Sequence, residues 1–232
     1  MLHTETVSNE LLKIIQAVSE HEELAPFRLV GGTALSLYLG HRISVDADFF
    51  TDKSFDKKQV EAAIYSLLPG INKIGETAYG FSWVLGDVKI DFYDWKVIFI
   101  KPPHLEEKMR LASLEDIAAY KLDAVVGRKT EKDFRDMDEL LKHFSLTKMI
   151  GFYREKFPFN DPRIVLDNLS WVSRLERDKG IMLLKNRSWE EVQASILNSI
   201  SAYFAELQSK QEEQIRQREQ KLQDIINRKN KP

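Results

Sequence analysis

Apolar residues recur along the first part of the chain with the two periods that distinguish helices from strands. Residues 8–20 place apolar side chains three and four positions apart, which is typical of an amphipathic helix. Residues 43–50 alternate apolar and polar side chains with period two, which predicts a strand with one buried face. A short strand over 27–30 and a short apolar helix over 33–39 come between them. This part of the chain therefore alternates helices with strands.

The middle of the chain predicts a hairpin. Residues 81–85 and 88–92 are rich in strand-forming side chains, and the Gly-Asp pair between them is a signal for a two-residue turn. A helical pattern covers 55–67 and stops at a Pro-Gly pair. Residues 95–100 predict one more strand before a pair of prolines.

The apolar period becomes helical from Ser113 onward. Ser113 and the acidic residues after it predict a capped helix start, and a second helix is expected from about Thr130. Asp161, followed by proline, predicts another helix start. A capping box opens a further helix, whose apolar stripe extends over 188–208 and thins out over 209–232.

These patterns divide the chain into three regions. Residues 1–110 form an α/β core, residues 111–208 form a helical region that completes the site of that core, and residues 209–232 form an exposed helical or frayed tail. The apolar residues of the tail are too sparse for a heptad pattern, and they are Ile215, Leu222, Ile225 and Ile226. A coiled-coil contact through the tail stays open.

Composition narrows the choice of chemistry. The chain has 232 residues, 43% of them hydrophobic, and no cysteine, which excludes disulfides, thiolate nucleophiles and cysteine-based zinc sites. The five histidines are scattered without ligand spacing, so no structural zinc is expected. The first residues show no signal-peptide pattern, and no apolar run approaches the roughly 18 residues of a membrane helix. We therefore expect a cytoplasmic protein that does not enter a membrane.

Three aspartates are the strongest chemical signal. Asp46 and Asp48 lie about 6.6 Å apart on one face of the predicted strand 43–50, at a rise of about 3.3 Å per residue. Asp91 points outward from the similarly patterned strand 88–92. Carboxylates that converge repel each other unless cations intervene, and two-metal phosphoryl transfer uses this arrangement. The alternative, a solvated sheet edge, leaves the patterned position of the third aspartate unexplained.

A glycine pair, Gly31 and Gly32, joins the short strand to the short helix that begins near Thr33. Glycine permits positive φ there and lets a phosphate approach the bare amides of a helix N-terminus. A plain strand–helix turn would also use two glycines. The aspartates that follow favour the phosphate-binding interpretation.

Basic residues are concentrated after residue 120, although the net charge of −2 provides no general attraction to nucleic acid. Arg128, Lys129, Lys132 and Arg135 could hold a triphosphate or one end of an RNA, or could simply form a solvated helix face. Lys121 lies among apolar neighbours, so its side chain either snorkels out of that face or reaches into a site.

The order and spacing of these features resemble the signature of the nucleotidyltransferase superfold related to DNA polymerase β. A glycine pair is followed, after thirteen intervening residues, by Asp-Ala-Asp and then by an acidic residue on a neighbouring strand. Two longer runs, 31–50 and 121–137, resemble more specifically the nucleotidyl transferase AbiEii/AbiGii toxin family. That family has a Lys-x-x-Ala … Arg … Lys-Asp-Phe-x-Asp-Leu segment, which the second run resembles. The resemblance covers about residues 28–144.

The resemblance implies an α/β (α+β) fold, in which a mixed sheet flanked by helices is followed by a mainly helical C-terminal region. It implies nucleotide transfer from a nucleoside triphosphate, with Mg²⁺ or Mn²⁺ held by Asp46, Asp48 and Asp91. Lys121 and Asp136 complete the expected catalytic set. The expected nucleotide-binding residues are Gly31, Gly32, Thr33, Arg42, Ser44, Lys121 and Arg128. The protein would be the toxin of a toxin–antitoxin or phage-defence pair, acting on an acceptor such as tRNA and paired with a cognate antitoxin.

Three other functions stay open from the sequence. A related enzyme could use a protein hydroxyl or a small molecule as acceptor. A nucleotide-binding interaction module could keep the fold without turnover, although the three intact aspartates speak against it. An antitoxin-like nucleotidyltransferase is the third, although such proteins tend to be shorter. The acceptor, the preferred base and the oligomeric state are not encoded in any pattern that we recognise.

Overall fold

A computed structural model describes residues 1–175, 177 and 180–229, with the backbone alone for 226–229. In this part of the chain seven strands form one mixed sheet, in the order β3-β4-β5-β2-β1-β7-β6. The pairs β2–β5 and β1–β7 are parallel, and the remaining pairs are antiparallel. The strands are β1 Arg28–Leu29, β2 Ala47–Thr51, β3 Asn72–Thr77, β4 Gly80–Leu85, β5 Val88–Asp94, β6 His104–Glu106 and β7 Met109–Leu111.

Helices pack against this sheet and continue beyond it. They are α1 Asn9–Glu20, α2 Gly31–Leu39, α3 Lys57–Leu67, α4 Leu114–Gly127, α5 Glu131–Leu141, α6 Leu146–Lys156, α7 Pro162–Leu169 and α8 Trp189–Lys229. The predicted caps Ser113 and Asp161 are confirmed, since each accepts a hydrogen bond from a first-turn amide. Ser8 caps α1 in the same way. Ser188 and Glu191 form the predicted capping box, in which each backbone amide donates to the other side chain. None of the described helices is long and apolar enough to cross a membrane.

The central strands bury one face of the sheet and leave the other face accessible. Phe49 on β2 stacks on Phe92 of β5, with ring centroids 5.0 Å apart, and Phe27 packs edge-on against Phe92. Each of these rings is almost fully buried, which contributes about 1.5–3 kcal/mol per side chain. The alternation of β2 and β5 then directs Asp48 and Asp91 to the opposite face.

The predicted strand over 43–50 begins later than its pattern indicates. Strand β2 starts at Ala47, and Val45, which was expected to face inward, is 58% exposed. The amide of Ile43 donates to the carbonyl of Met182 at 2.9 Å, and the amide of Ser44 donates to Thr6. The segment before Ala47 therefore leaves the sheet because other parts of the chain take its backbone hydrogen bonds.

The predicted strand over 95–100 is wrong. Carboxylates accept its amides: Phe99 donates to Asp52, and Ile100 donates to Asp116 at 2.8 Å. Asp116 is fully buried and forms an ion pair with Lys156 at 2.7 Å. The segment is therefore fixed by side chains of the core and has no strand partner in the described part of the chain.

The predicted mixed α/β architecture is confirmed, and the sheet extends beyond the predicted strands through β3, β6 and β7. The region boundaries at residues 110 and 208 stay predictions, since α8 passes residue 208 without a break. The last turns of α8 expose Ile215, Leu222 and Ile225. The side chain of Ile226 and residues 230–232 of the predicted tail lie outside the described residues.

Candidate active site

A pocket of about 320 Å³ lies on the open face of β2 and β5, against the first turn of α2. The parallel register pairs Asp48 directly with Asp91, so their Cα atoms lie about 5 Å apart. Asp46 precedes β2 and also lines this pocket. The structure therefore brings the three predicted aspartates together.

The electrostatics of the Asp48–Asp91 pair favour the binding of a cation. Burial raises the pKa of Asp48, and the neighbouring charge of Asp91 raises it further, while Lys121 opposes both effects. One oxygen of Asp91 accepts a hydrogen bond from Lys89, and its Oδ1 atom is buried without a partner. A buried carboxylate oxygen in this state is available to a ligand. Within the described residues, no group of three acidic or histidine side chains is arranged to hold a metal ion. Lys89 neutralises part of the negative charge of Asp91.

The glycine pair is required by side chains of the pocket. Gly31 has a φ of +69°, and a Cβ atom there would fall well under 3.0 Å from a carboxylate oxygen of Asp48. A Cβ atom on Gly32 would come as close to Arg42. The two glycines therefore let the helix start against the side chains of Asp48 and Arg42, which a plain strand–helix turn would not demand.

Replacing Gly31 by alanine is expected to displace the carboxylate of Asp48 and to lower the transfer rate by roughly 100-fold, as a shift of about 1 Å in a catalytic group does. Gly70→Ala is the matched control, because Gly70 also has positive φ (+86°) but has open space around it. Rates of nucleotide transfer and thermal melts of both variants separate backbone strain from displacement. Equal activity of the two variants would contradict this explanation of the glycine.

Thr33 and Ser44 form one wall of the pocket and are joined to each other. The Thr33 hydroxyl donates to Ser44 Oγ at 2.8 Å and is also within hydrogen-bond reach of the Asp46 carbonyl. Both side chains are buried. These hydroxyls hold the segment before β2 against α2, and the predicted contact of Thr33 and Ser44 with a nucleotide stays a prediction.

Asp136 lies behind the pocket wall and is fully buried. It accepts hydrogen bonds from Arg42 Nε at 2.7 Å and Arg42 Nη2 at 2.9 Å, and it contacts His41 Nε2 at 2.7 Å and Lys121 Nζ at 2.5 Å. Burial alone would raise the pKa of Asp136, but the charges of Lys121 and Arg42 outweigh it and hold the pKa well below its usual range. This carboxylate therefore orders two cations that line the pocket.

Lys121 and Arg128 complete the basic wall. Lys121 is only 4% exposed and lies 3.5 Å from Asp133, so its side chain reaches into the site and does not snorkel outward. Arg128 forms two hydrogen bonds to Asp133, at 3.1 and 3.2 Å, while about half of its side chain stays exposed. Lys132 lines the same pocket.

Two parts of the site were not predicted. Lys89 lines the pocket beside Asp91, and its position two residues before Asp91 on the open face was a usable signal. Residues 180–182 form a further wall, and no local pattern indicates it. Ion pairs hold this segment to α5, from Lys185 to Glu139 at 3.0 Å and from Arg187 to Asp138 at 3.1 Å.

Solved structures share this fold. The Helicobacter pylori protein JHP933 is 18% identical, with 91% of this chain and 99% of that chain covered and a TM-score of 0.56. MenT4, a nucleotidyltransferase toxin from Mycobacterium tuberculosis H37Rv, is 13% identical, with 82% of each chain covered and a TM-score of 0.58. The predicted nucleotidyltransferase fold is confirmed.

Sequence comparison extends the match beyond the residues that carried the resemblance. An uncharacterized protein of Aquifex aeolicus (strain VF5) is 28% identical over 186 residues, which are 77% of this chain and 88% of that protein. The model of the family described as nucleotidyl transferase AbiEii toxin, type IV toxin–antitoxin system, matches residues 13–212. The chain therefore belongs to the AbiEii nucleotidyltransferase toxin family, and it is a nucleotidyltransferase.

Proposed function

We propose that this protein is a metal-dependent toxin that transfers a nucleotide from a nucleoside triphosphate to an RNA acceptor, with tRNA as the first candidate, and that a cognate antitoxin restrains it. The acceptor hydroxyl forms a bond to the α-phosphorus, the bond to the β-phosphate breaks, and pyrophosphate leaves. The observation that carries this proposal is the in-register pair Asp48–Asp91 beside a wall of basic side chains.

The donor set suits Mg²⁺ or Mn²⁺. Asp46, Asp48 and Asp91 offer only carboxylate oxygens, which these hard cations prefer, and Asp91 Oδ1 has no partner. We assign the metal to these three residues. When bound, the metal supplies positive charge that offsets the repulsion between the carboxylates and the triphosphate.

The remaining residues of the site bind and orient the triphosphate and the acceptor. Lys121, Arg128 and Lys132 attract the phosphates, and the first-turn amides of α2 after Gly31 receive the β- and γ-phosphate oxygens. Asp91 accepts the proton of the acceptor hydroxyl. Catalysis in such a site is mainly positioning and charge neutralisation.

Asp136 contributes to the site indirectly, through the two cations that it holds in place. Arg42 and Lys121 are both bound to this buried carboxylate, so their positions are set before a nucleotide arrives. Arg42 also donates to the carbonyl of Ile43 at 3.1 Å. We therefore propose Asp136 as a positioning residue and Arg42 as a rigid part of the wall.

Protein or small-molecule acceptors, and an interaction module without turnover, are the alternatives. An acceptor other than RNA would use the same carboxylates, so only the labelled product distinguishes it. The unpartnered Asp91 oxygen and the raised pKa of Asp48 support a cation site beside the basic wall, and we therefore prefer an enzyme to an interaction module.

Binding of a nucleoside triphosphate is expected to require Mg²⁺ or Mn²⁺, and calorimetry with each of the four triphosphates, with and without metal, measures it. Lys132→Ala should weaken this binding about tenfold or more, since one charge-assisted phosphate contact contributes about 1.5–3 kcal/mol. Lys129→Ala is the control, because Lys129 belongs to the same basic cluster but lies over the ring of Trp171. Metal-independent binding, or none with any triphosphate, would remove the metal assignment.

A further inference from the structure

Aromatic side chains continue the open face of the sheet beyond the aspartates. Phe50 follows Asp48 by two residues on β2, Tyr93 follows Asp91 by two residues on β5, and the register pairs Phe50 with Tyr93. Two residues along a strand correspond to about 6.6 Å. Asp91 therefore stands between the pocket that contains Lys89 and the aromatic surface that contains Tyr93.

Tyr93 lines a groove of about 660 Å³ together with Tyr79, Trp95 and Lys96. Trp95 stacks on Phe50 with ring centroids 5.2 Å apart and an interplanar angle of 4°. Tyr79 is 54% exposed and Trp95 is 42% exposed, so part of each ring is accessible to a ligand. The Lys96 ammonium lies 5.2 Å from the centroid of the Tyr79 ring.

The groove is held rigidly by the backbone around it. The amide of Trp95 donates to the carbonyl of Thr51 at 3.2 Å, and the amide of Asp94 donates to the carbonyl of Tyr79 at 2.8 Å. The amide of Lys96 donates to the Asp94 carboxylate at 2.9 Å. The aromatic rings are therefore positioned before any ligand binds, which lowers the entropy cost of binding.

We propose that this groove binds a nucleobase of the single-stranded end of the RNA acceptor and so guides its terminal hydroxyl to Asp91. The inference rests on the proposed function. Exposed aromatic rings with an adjacent cation are the usual platform for single-stranded nucleic acid, since every base has a stacking face and every nucleotide a negative charge. The groove adjoins Asp91, the residue to which we assign the acceptor hydroxyl.

A nucleobase could also come from the triphosphate, so the test measures both ligands. The RNA probe is a fluorescein-labelled single-stranded oligonucleotide of about eight residues, within the usual site size, followed by anisotropy. The second probe is ATP with Mg²⁺, followed by calorimetry. Trp95→Ala and Tyr79→Ala should each weaken RNA binding about tenfold or more, as loss of a stacking ring does, and should leave ATP binding unchanged.

Two further variants serve as controls for the loss of the Trp95 ring. Trp95→Phe retains a ring against Phe50 and should restore most of the RNA affinity. Trp171→Ala removes another exposed tryptophan, 48% accessible, that lies outside the groove, and it should bind RNA normally. Thermal melts confirm that each variant folds.

The results that would contradict the groove assignment differ from those that would contradict the proposed function. RNA affinity that is unchanged by Trp95→Ala, in an enzyme that still labels RNA, overturns the groove assignment alone. Equal losses of ATP and RNA binding would place the base of the triphosphate in the groove and overturn the acceptor assignment. A wild-type protein that labels a protein or small molecule and binds no RNA overturns both this inference and the proposed acceptor.

Discussion

Asp48→Asn is expected to lower nucleotidyl transfer by about 10²–10³-fold while the protein stays folded. The amide keeps the shape of the side chain but removes the charge that the cation needs, and loss of a single group that stabilises transition-state charge costs about 10²–10³-fold. Since burial and Asp91 raise the pKa of Asp48, the neutral amide also relieves repulsion, so the melting temperature should not fall. Transfer of label from α-³²P-nucleotide to RNA measures the effect.

Asp87→Asn is the matched control, because it makes the same chemical change at the exposed turn between β4 and β5. In a bacterial host, controlled expression of the wild type should slow growth, and Asp48→Asn should relieve it. Equal toxicity of wild type and Asp48→Asn would show that the toxicity does not come from catalysis.

Asp136→Ala is expected to reduce the free energy of unfolding by about 3–5 kcal/mol, because it leaves the buried charges of Arg42 and Lys121 without their common partner. Urea unfolding measures this loss. Asp123→Asn is the control: burial raises the pKa of Asp123, so neutralising it should cost little. Similar losses for the two variants would mean that the ion-pair network does not stabilise the fold.

The pH dependence of this loss has a defined sign. The pKa of Asp136 is lowered in the folded protein, so the stability it contributes is fully present above the unfolded value of about 3.9 and is lost as the pH falls below it. The difference between wild type and Asp136→Ala should therefore be no smaller at pH 5 than at pH 7. A difference that shrinks between these two values would contradict the assignment.

Local patterns predicted those elements whose hydrogen bonds are local. The hairpin around Gly86, the helix caps and the capping box at Ser188 depend on residues within a few positions of each other, and all were confirmed. The predicted strand over 95–100 failed because carboxylates such as Asp116 accept its amides. An alternating pattern does not show which side chains from distant parts of the sequence will accept the amides of a segment.

The same distinction applies to the site. Asp46, Asp48 and Asp91 were recognisable because strand period and spacing place them on one face, and the structure does bring them together. Their roles as metal ligands stay predictions. The contacts of Asp136 join three parts of the chain, which are α5, α4 and the segment at 41–42. The wall at 180–182 is followed by residues that form ion pairs with α5. Neither arrangement has a local signal.

The late position of the wall at 180–182 has a consequence for the synthesis of this toxin. The carboxylates Asp48 and Asp91 leave the ribosome early. Asp136 follows when about three-fifths of the 232 residues have been made, and the wall follows when about four-fifths have been made. Since chains fold from the N-terminus as they emerge, the nascent protein contains acidic groups without the residues that order the pocket. The pocket is therefore incomplete until about four-fifths of the chain has been made, and nucleotide transfer is expected to begin only after that stage of translation.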